Sequence, residues 1–330
     1  MSTPTCESVT VADLVRSAAQ RLREAGVDTP EHDAKLLLAH VFGCELRDVD
    51  KAVLMGERWP RGDADGSNAS DSAGAAAPGR VAGSDDPDAK LTAFEACIIR
   101  RARREPLQYI TGHAPFRYLD LEVGPGVFIP RPETELVVQE GLDWINRHSG
   151  LYAPRVVDLC AGSGAIGLSV AGEAPGAEVW AVEISERTAM WTRRNLARIS
   201  RINPQVGYNY HLILGDATSF STLSQLDGTV DLVLSNPPYV PESEVPEQPE
   251  VRDHDPSLAL YGGSADGLLI PERIVQRAYA LLKSGGLFVM EHDISQGDRL
   301  AAYAHACGFI NAVTRLDYTG RPRYLVAEKR

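Results

Sequence analysis

The residues best equipped for chemistry form one run, Ser235-Asn236-Pro237-Pro238-Tyr239, directly after an apolar stretch at 230–234. That stretch reads as a buried strand. The two prolines lack N–H groups, so they end its ladder and stiffen the backbone. The Asn236 side-chain oxygen and the Pro237 carbonyl then stand at a strand tip as two acceptors. A planar –NH2 on an sp² carbon, with two N–H bonds to donate, suits such a pair, and Tyr239 can cover its flat face. Asn-Pro is equally a common way to open a turn, so the rest of the chain must decide between the readings.

Three other strand ends carry chemistry. The first is followed by Asp158-Leu159-Cys160-Ala161-Gly162-Ser163-Gly164-Ala165-Ile166-Gly167. Glycines allow a ligand close to the backbone, and the following helix N-terminus offers free N–H groups. Gly162, Gly164 and Gly167 make a literal G-x-G-x-x-G, and Glu183 ends the second strand, placed to bind ribose hydroxyls. A nicotinamide-dependent oxidoreductase would account for both features. Two others point elsewhere. Asp158, just ahead of the glycines, would repel a pyrophosphate but welcome an ammonium group, and hydride transfer has no use for Asn-Pro-Pro-Tyr. At the third strand end, Asp216 can accept from an adenine amino group. The ligand so described has a cationic amino-acid end, a ribose and an adenine, as S-adenosylmethionine (SAM) does. Its candidate contacts are Asp158, Cys160, Ala161, Gly162, Ser163, Gly164, Glu183, Asp216, Ala217 and Asn236.

The elements that position these residues follow from spacing. Helical periodicity covers 10–26, with Thr10 as cap and Gly26 as stop, then 30–43 and 46–55. Residues 61–88 are mostly Gly, Ala, Ser, Asp and Pro, read as a disordered insertion that cannot offset its ordering entropy. A helix resumes over 89–104 and ends in Arg100-Arg101-Ala102-Arg103-Arg104, a solvated face, a set of dipole partners or a docking patch. Residues 106–132 read as a β-hairpin linker, and Pro132 opens a helix with Glu133 and Glu135 in its first turn. Strands at 155–159, 177–182, 210–214, 230–234 and 286–291 then alternate with helices at 165–172, 186–200, 271–283 and 296–307. An antiparallel pair at 311–317 and 323–328 closes the chain. The expectation is an α/β fold, a mostly parallel sheet with helices on both faces, and ligands at the C-terminal strand ends near the switch in strand order.

Composition narrows the function classes. The 330 residues carry a net charge of −12, which speaks against a general nucleic-acid binder. Five scattered cysteines without a C-x-x-C speak against a disulfide framework or a cysteine-based zinc site, so no metal is expected. Neither a signal peptide nor an apolar run of membrane-spanning length is legible. The expected setting is the cytoplasm, without a membrane or a stable nucleic-acid partner.

Taken together, Ile129-Pro130-Arg131-Pro132-Glu133-Thr134-Glu135, Asn236-Pro237-Pro238-Tyr239, and Glu250-Val251-Arg252-Asp253 with Asp255-Pro256, Leu260, Gly262-Gly263 and Asp266-Gly267 resemble the PrmC (HemK) family. The resemblance runs from about residue 9 to the C-terminus, outside 61–88. It implies a class I SAM-dependent methyltransferase fold with a seven-stranded sheet over 133–330. It further implies a helical substrate-recognition domain over 1–105 and the hairpin linker over 106–132. The implied reaction is methyl transfer to the glutamine of the Gly-Gly-Gln motif in class I peptide chain release factors, by a monomer. Asn236, Pro237, Pro238 and Tyr239 would bind the substrate amide, with Asn236, Pro237 and Tyr239 acting in catalysis. Ribosomal-protein glutamine or DNA adenine-N6 methyl transfer and an inactive SAM-binding module are the alternatives. Two positions depart from the pattern. Cys160 replaces a usual glycine, which requires this position to avoid a positive φ, and Glu183 replaces an aspartate. Ala217 stands where the family carries an adenine-side aromatic. His254-Asp255 suggests a base pair, but adjacent loop residues rarely form a relay, so no catalytic role is expected of His254. Arg131 either pairs with Glu133 or Glu135 or serves the pocket, Phe116 and Phe128 read as linker packing, and His292 as structural.

Overall fold

The computed structural model describes residues 9–59, 86–148, 150 and 152–330. Its contacts divide the chain into two compact units, the first ending at His113 and the second beginning at Ala114.

The first unit is helical: α1 Val11–Glu24, α2 Pro30–Phe42, α3 Leu46–Met55, α4 Pro87–Ala102 and the short α5 Leu107–Thr111. Local chemistry sets their ends. The Thr10 hydroxyl accepts from Asp13 N at 3.1 Å as part of a capping box. Pro30 and Pro87 open α2 and α4, and Gly43 closes α2 at φ 68°. Leu22, Leu37, Leu38 and Ile98 are fully buried in this unit's core. The compositional insertion lies mostly outside the described residues, but 86–88 do not. Asp86 caps α4 and Pro87 begins it, so the helix starts earlier than its apolar spacing suggests. The arginine run at its end serves the unit internally. Arg101 forms a buried ion pair with Asp33 at 2.7 Å, Arg100 pairs with Glu105, and the Arg104 guanidinium donates to the Gly26 carbonyl.

The second unit begins in a two-stranded sheet, β1 His113–Phe116 with β2 Leu119–Glu122. A 3-10 turn at Pro132–Thr134 leads into α6 Glu135–Arg147. Seven strands follow: β3 Arg155–Leu159, β4 Glu178–Glu183, β5 Tyr210–Leu214, β6 Val230–Ser235, β7 Leu282–Glu291, β8 Phe309–Leu316 and β9 Pro322–Lys329. They are ordered β5-β4-β3-β6-β7-β9-β8. β9 runs antiparallel to the other strands and inserts between β7 and β8. The helices are α7 Ala165–Glu173, α8 Glu186–Ile202, α9 Pro204–Asn209, α10 Pro249–His254, α11 Ser257–Leu260, α12 Leu269–Leu281 and α13 Gly297–Ala306. Every residue of β6 is buried, as a central parallel strand covered on both faces requires. The chain runs β3, β4, β5 in one direction and returns to β6 on the other side of β3. The switch in strand order therefore lies between β3 and β6, and there Ser235 Oγ donates to the Leu159 carbonyl at 2.6 Å.

Candidate active site

A cavity of about 440 Å³ opens at this switch. Its walls come from the turn after β3, the ends of β4, β5 and β6, the segment before α6, and the 251–260 stretch. Cys160, Ala161, Gly162, Ser163, Glu183, Asp216, Ala217, Asn236, Pro238 and Tyr239 all line it. Asp158, Gly164 and Pro237 do not.

The turn after β3 is built from backbone. Cys160, Gly162 and Gly164 stand at φ 72°, 60° and 88°. Cys160 thus occupies the left-handed conformation that its replacement of glycine was expected to forbid. The reason is positional: the chain must leave β3 and turn at once, so that Ala161 N can donate to the Val182 carbonyl at 2.8 Å. The Cys160 side chain packs on the core beneath, offsetting a conformational cost of about 1–2 kcal/mol, and burial pushes its thiol well above the usual range. At Gly162 an added Cβ would meet nothing within 4 Å, whereas at Gly167 it would meet Tyr210 at 2.9 Å and Asp158 at 3.0 Å. The first glycine leaves room and the last allows close helix–strand packing.

Both carboxylates of this region spend hydrogen bonds on that backbone. Glu183 accepts from Gly162 N at 2.9 Å through Oε2 and from Ser185 N at 2.8 Å through Oε1. A lone pair remains on each oxygen, and burial raises its carboxyl above the ordinary value against those two N–H groups. Asp158 is fully buried beneath the turn, with Oδ2 accepting from Gly167 N at 2.9 Å and Oδ1 lacking a partner. Burial lifts its pKa to about 7. Asp216 lies open on the wall and holds Thr218 through Oδ1.

The end of β6 is built from side chains. Asn236 Nδ2 donates to Thr134 Oγ1 at 3.1 Å, Thr134 Oγ1 donates to Glu291 Oε2 at 2.6 Å, and Tyr239 Oη donates to Glu291 Oε1 at 2.8 Å. Glu291, at the tip of β7, is 1 % exposed. Burial raises its carboxyl, opposed by the Thr134 and Tyr239 hydroxyls. The backbone below is stapled by Gln296, whose Nε2 donates to the carbonyls of Tyr239 at 2.8 Å and Asp266 at 3.0 Å. An added Cβ at Gly267 would strike the Tyr239 carbonyl oxygen, which accounts for the glycine in that motif. Thr134, Glu291 and Gln296 carry no separate signal in the sequence reading. Glu291 had the same local mark as Glu183, an acid ending an apolar strand.

The remaining candidates separate. Arg131 pairs with neither Glu133 nor Glu135 but with buried Asp255 at 2.7 Å, and it lies over the Phe128 ring at 5.0 Å. Phe128 lines the cavity, while Phe116 is buried in the core. His254 is not on the wall. His292 is buried, bonded to the Asp293 carbonyl and the Thr314 hydroxyl, both at 2.7 Å. No group of three or more His, Cys, Asp or Glu side chains among the described residues is placed to hold a metal.

SAM fits what is present. The open cradle at Gly162 and the lone pairs of Glu183 and Asp216 at adjacent strand ends meet a ligand with hydroxyls and an amino group. The fold is that of a class I SAM-dependent methyltransferase.

Comparison with known proteins narrows the class. A sequence model for the PrmC N-terminal domain matches residues 13–49 and 84–112, and one for Conserved hypothetical protein 95 matches 107–252. A release factor glutamine methyltransferase of Bifidobacterium longum is 60% identical over 96% of this chain and 99% of its own. One of Streptomyces coelicolor is 41% identical over 96% of each chain. Among solved structures, the delta-N METTL16 MTase domain is 15% identical over 64% of this chain and 88% of its own, with a TM-score of 0.47. The chain belongs to the release factor glutamine methyltransferase family.

Proposed function

We propose that the protein transfers the methyl group of SAM to the side-chain amide nitrogen of the glutamine in the Gly-Gly-Gln motif of class I peptide chain release factors, and so modulates translation termination. The observation that carries this reading is Asn236, its Nδ2 held by Thr134, on the wall of the cavity that Glu183 and Gly162 also line. Identity to named release factor glutamine methyltransferases across nearly whole chains supports it.

When bound, SAM supplies an electrophilic methyl group on a sulfonium sulfur. Glu183 would take the ribose hydroxyls and Asp216 the adenine amino group, with Cys160, Ala161, Gly162, Ser163 and Ala217 enclosing the ligand. Asp158 and Gly164 would act through the shape of the turn. An amide nitrogen is a poor nucleophile, so the work of the protein is placement. Asn236 Oδ1 would accept one N–H of the glutamine and the Pro237 carbonyl the other, orienting the nitrogen and stabilising positive charge as it develops. Pro238 would stiffen this clamp and the Tyr239 ring would cover the amide plane. The helical unit would select the protein that presents the glutamine. The reading includes a monomer that works in the cytoplasm without a stable nucleic-acid partner; no helix among the described residues is long and apolar enough to cross a membrane.

Incubation with methyl-labelled SAM and a release factor tests the assignment. Label is expected on the intact factor and absent after Gln→Ala in its Gly-Gly-Gln. Label that persists on the variant, or that appears on neither protein, overturns it.

A further inference from the structure

We propose that Glu291 is a positioning residue that fixes which face of the Asn236 amide meets the substrate. An asparagine amide can rotate by half a turn and exchange its acceptor for its donor. Presented the wrong way, its –NH2 would confront the –NH2 of the substrate amide. Two side chains, Thr134 and Glu291, remove that freedom.

Glu291, as a carboxylate, only accepts hydrogen bonds. It accepts from the Thr134 hydroxyl at 2.6 Å and from the Tyr239 hydroxyl at 2.8 Å. The one hydrogen of the Thr134 hydroxyl is thereby engaged, and toward any other neighbour its oxygen can only accept. Its neighbour at 3.1 Å must therefore be Asn236 Nδ2, not Oδ1, so Oδ1 is the atom left for the substrate. Direction is passed from a buried carboxylate through one hydroxyl to the amide, and the same carboxylate anchors the Tyr239 ring. Glu291 does not line the cavity and both of its oxygens are engaged, so it acts through its neighbours and not as a base.

The proposal rests on the glutamine-methylation reading. Its test measures methyl transfer to a release factor and the calorimetric affinity for S-adenosylhomocysteine in wild type, Glu291→Gln, Thr134→Val and Thr134→Ser. Glu291→Gln adds a donor where only acceptors stood, and Thr134→Val deletes the relay with little change of shape. Each is expected to lower kcat at least tenfold with the affinity within twofold. Thr134→Ser, which keeps the hydroxyl, is expected to recover at least tenfold over Thr134→Val. Should Glu291→Gln fail to fold, the threonine pair decides. Valine and serine variants with equal kcat overturn the proposal, as does a loss of transfer matched by an equal loss of affinity. A wild type that leaves the release factor unmethylated fails the underlying reading and this proposal with it. A wild type that methylates it alongside equally active Glu291→Gln and Thr134→Val fails this proposal alone.

Discussion

After β3 the chain turns through three residues at positive φ, and the nearby carboxylates of Asp158 and Glu183 hold backbone N–H groups. After β6 the backbone is stiffened by two prolines, and the working groups are side chains linked by directed hydrogen bonds from Asn236 through Thr134 to Glu291. The two strands are neighbours, yet their tips are built by different means. A turn made of backbone requires only that its φ angles be kept, and Cys160 keeps them at φ 72° without being a glycine. The proposed clamp made of hydrogen-bond direction is expected not to tolerate a change of donor into acceptor, even at a residue off the cavity wall.

Paired substitutions can break this contrast. The largest effect on stability is expected from the glycines. Gly267→Ala places a Cβ against the Tyr239 carbonyl and within 2.9 Å of Pro241 N, at φ 70°. It should cost about 3 kcal/mol or more in denaturant unfolding. Gly162→Ala, at φ 60° with open space around it, should cost only about 1 kcal/mol. Equal costs would mean that the end of β6 is no more tightly built than the turn after β3.

Asp158 gives the next effect. Burial lifts its folded-state pKa to about 7, above the ordinary 4 or so of an unfolded aspartate. The folded protein then binds more protons, so this group's contribution to stability falls as pH rises from about 4 to about 7 and is lowest above that window. Asp158→Asn should therefore stabilise the ligand-free protein by a few kcal/mol at pH 8, a gain that shrinks steadily toward pH 5. A pH-independent difference would show that the carboxyl is not perturbed. The smallest effect is expected from Cys160→Gly, which relieves the left-handed strain at the expense of core packing and unfolded-chain entropy. A net gain of about 1 kcal/mol or less is expected, read as a melting temperature higher by about 2–4 °C. A fall would mean that packing of the thiol outweighs the strain.

These examples also mark what the sequence made legible. The central strands β3 and β6 were readable to within a residue, because apolar runs buried on both faces leave little ambiguity. The start of β7 was not. Lys283 reads as the end of a helix and Gly286 as the start of the strand, but the strand begins at Leu282 and passes through Ser284-Gly285 with a register shift against β6 and Gly285 at φ 77°. The short helices α9, α10 and α11 are four to six residues long and show no periodicity to find. At the site, spacing placed Asn236, Glu183 and Asp216 on one cavity, since each ends a strand of one sheet. Spacing says nothing of depth. Asp158 precedes the turn yet lies beneath it, and Arg131 finds its partner 124 residues away at Asp255. Glu291 escaped because its role depends on a partner, Thr134, brought from 157 residues distant by the fold.

One measurement puts the contrast between the two strand ends to its most direct test: S-adenosylhomocysteine affinity and glutamine methyl transfer at saturating SAM, side by side, in Glu183→Ala and Asn236→Ala. Glu183→Ala should lose affinity at least tenfold and keep kcat within a few-fold. Asn236→Ala should keep affinity within a few-fold and lose transfer by at least about 10³, the scale of removing a group that stabilises developing charge. If both variants lose both properties to the same degree, the two strand ends do not divide the work, and the account given for Asn236 is wrong.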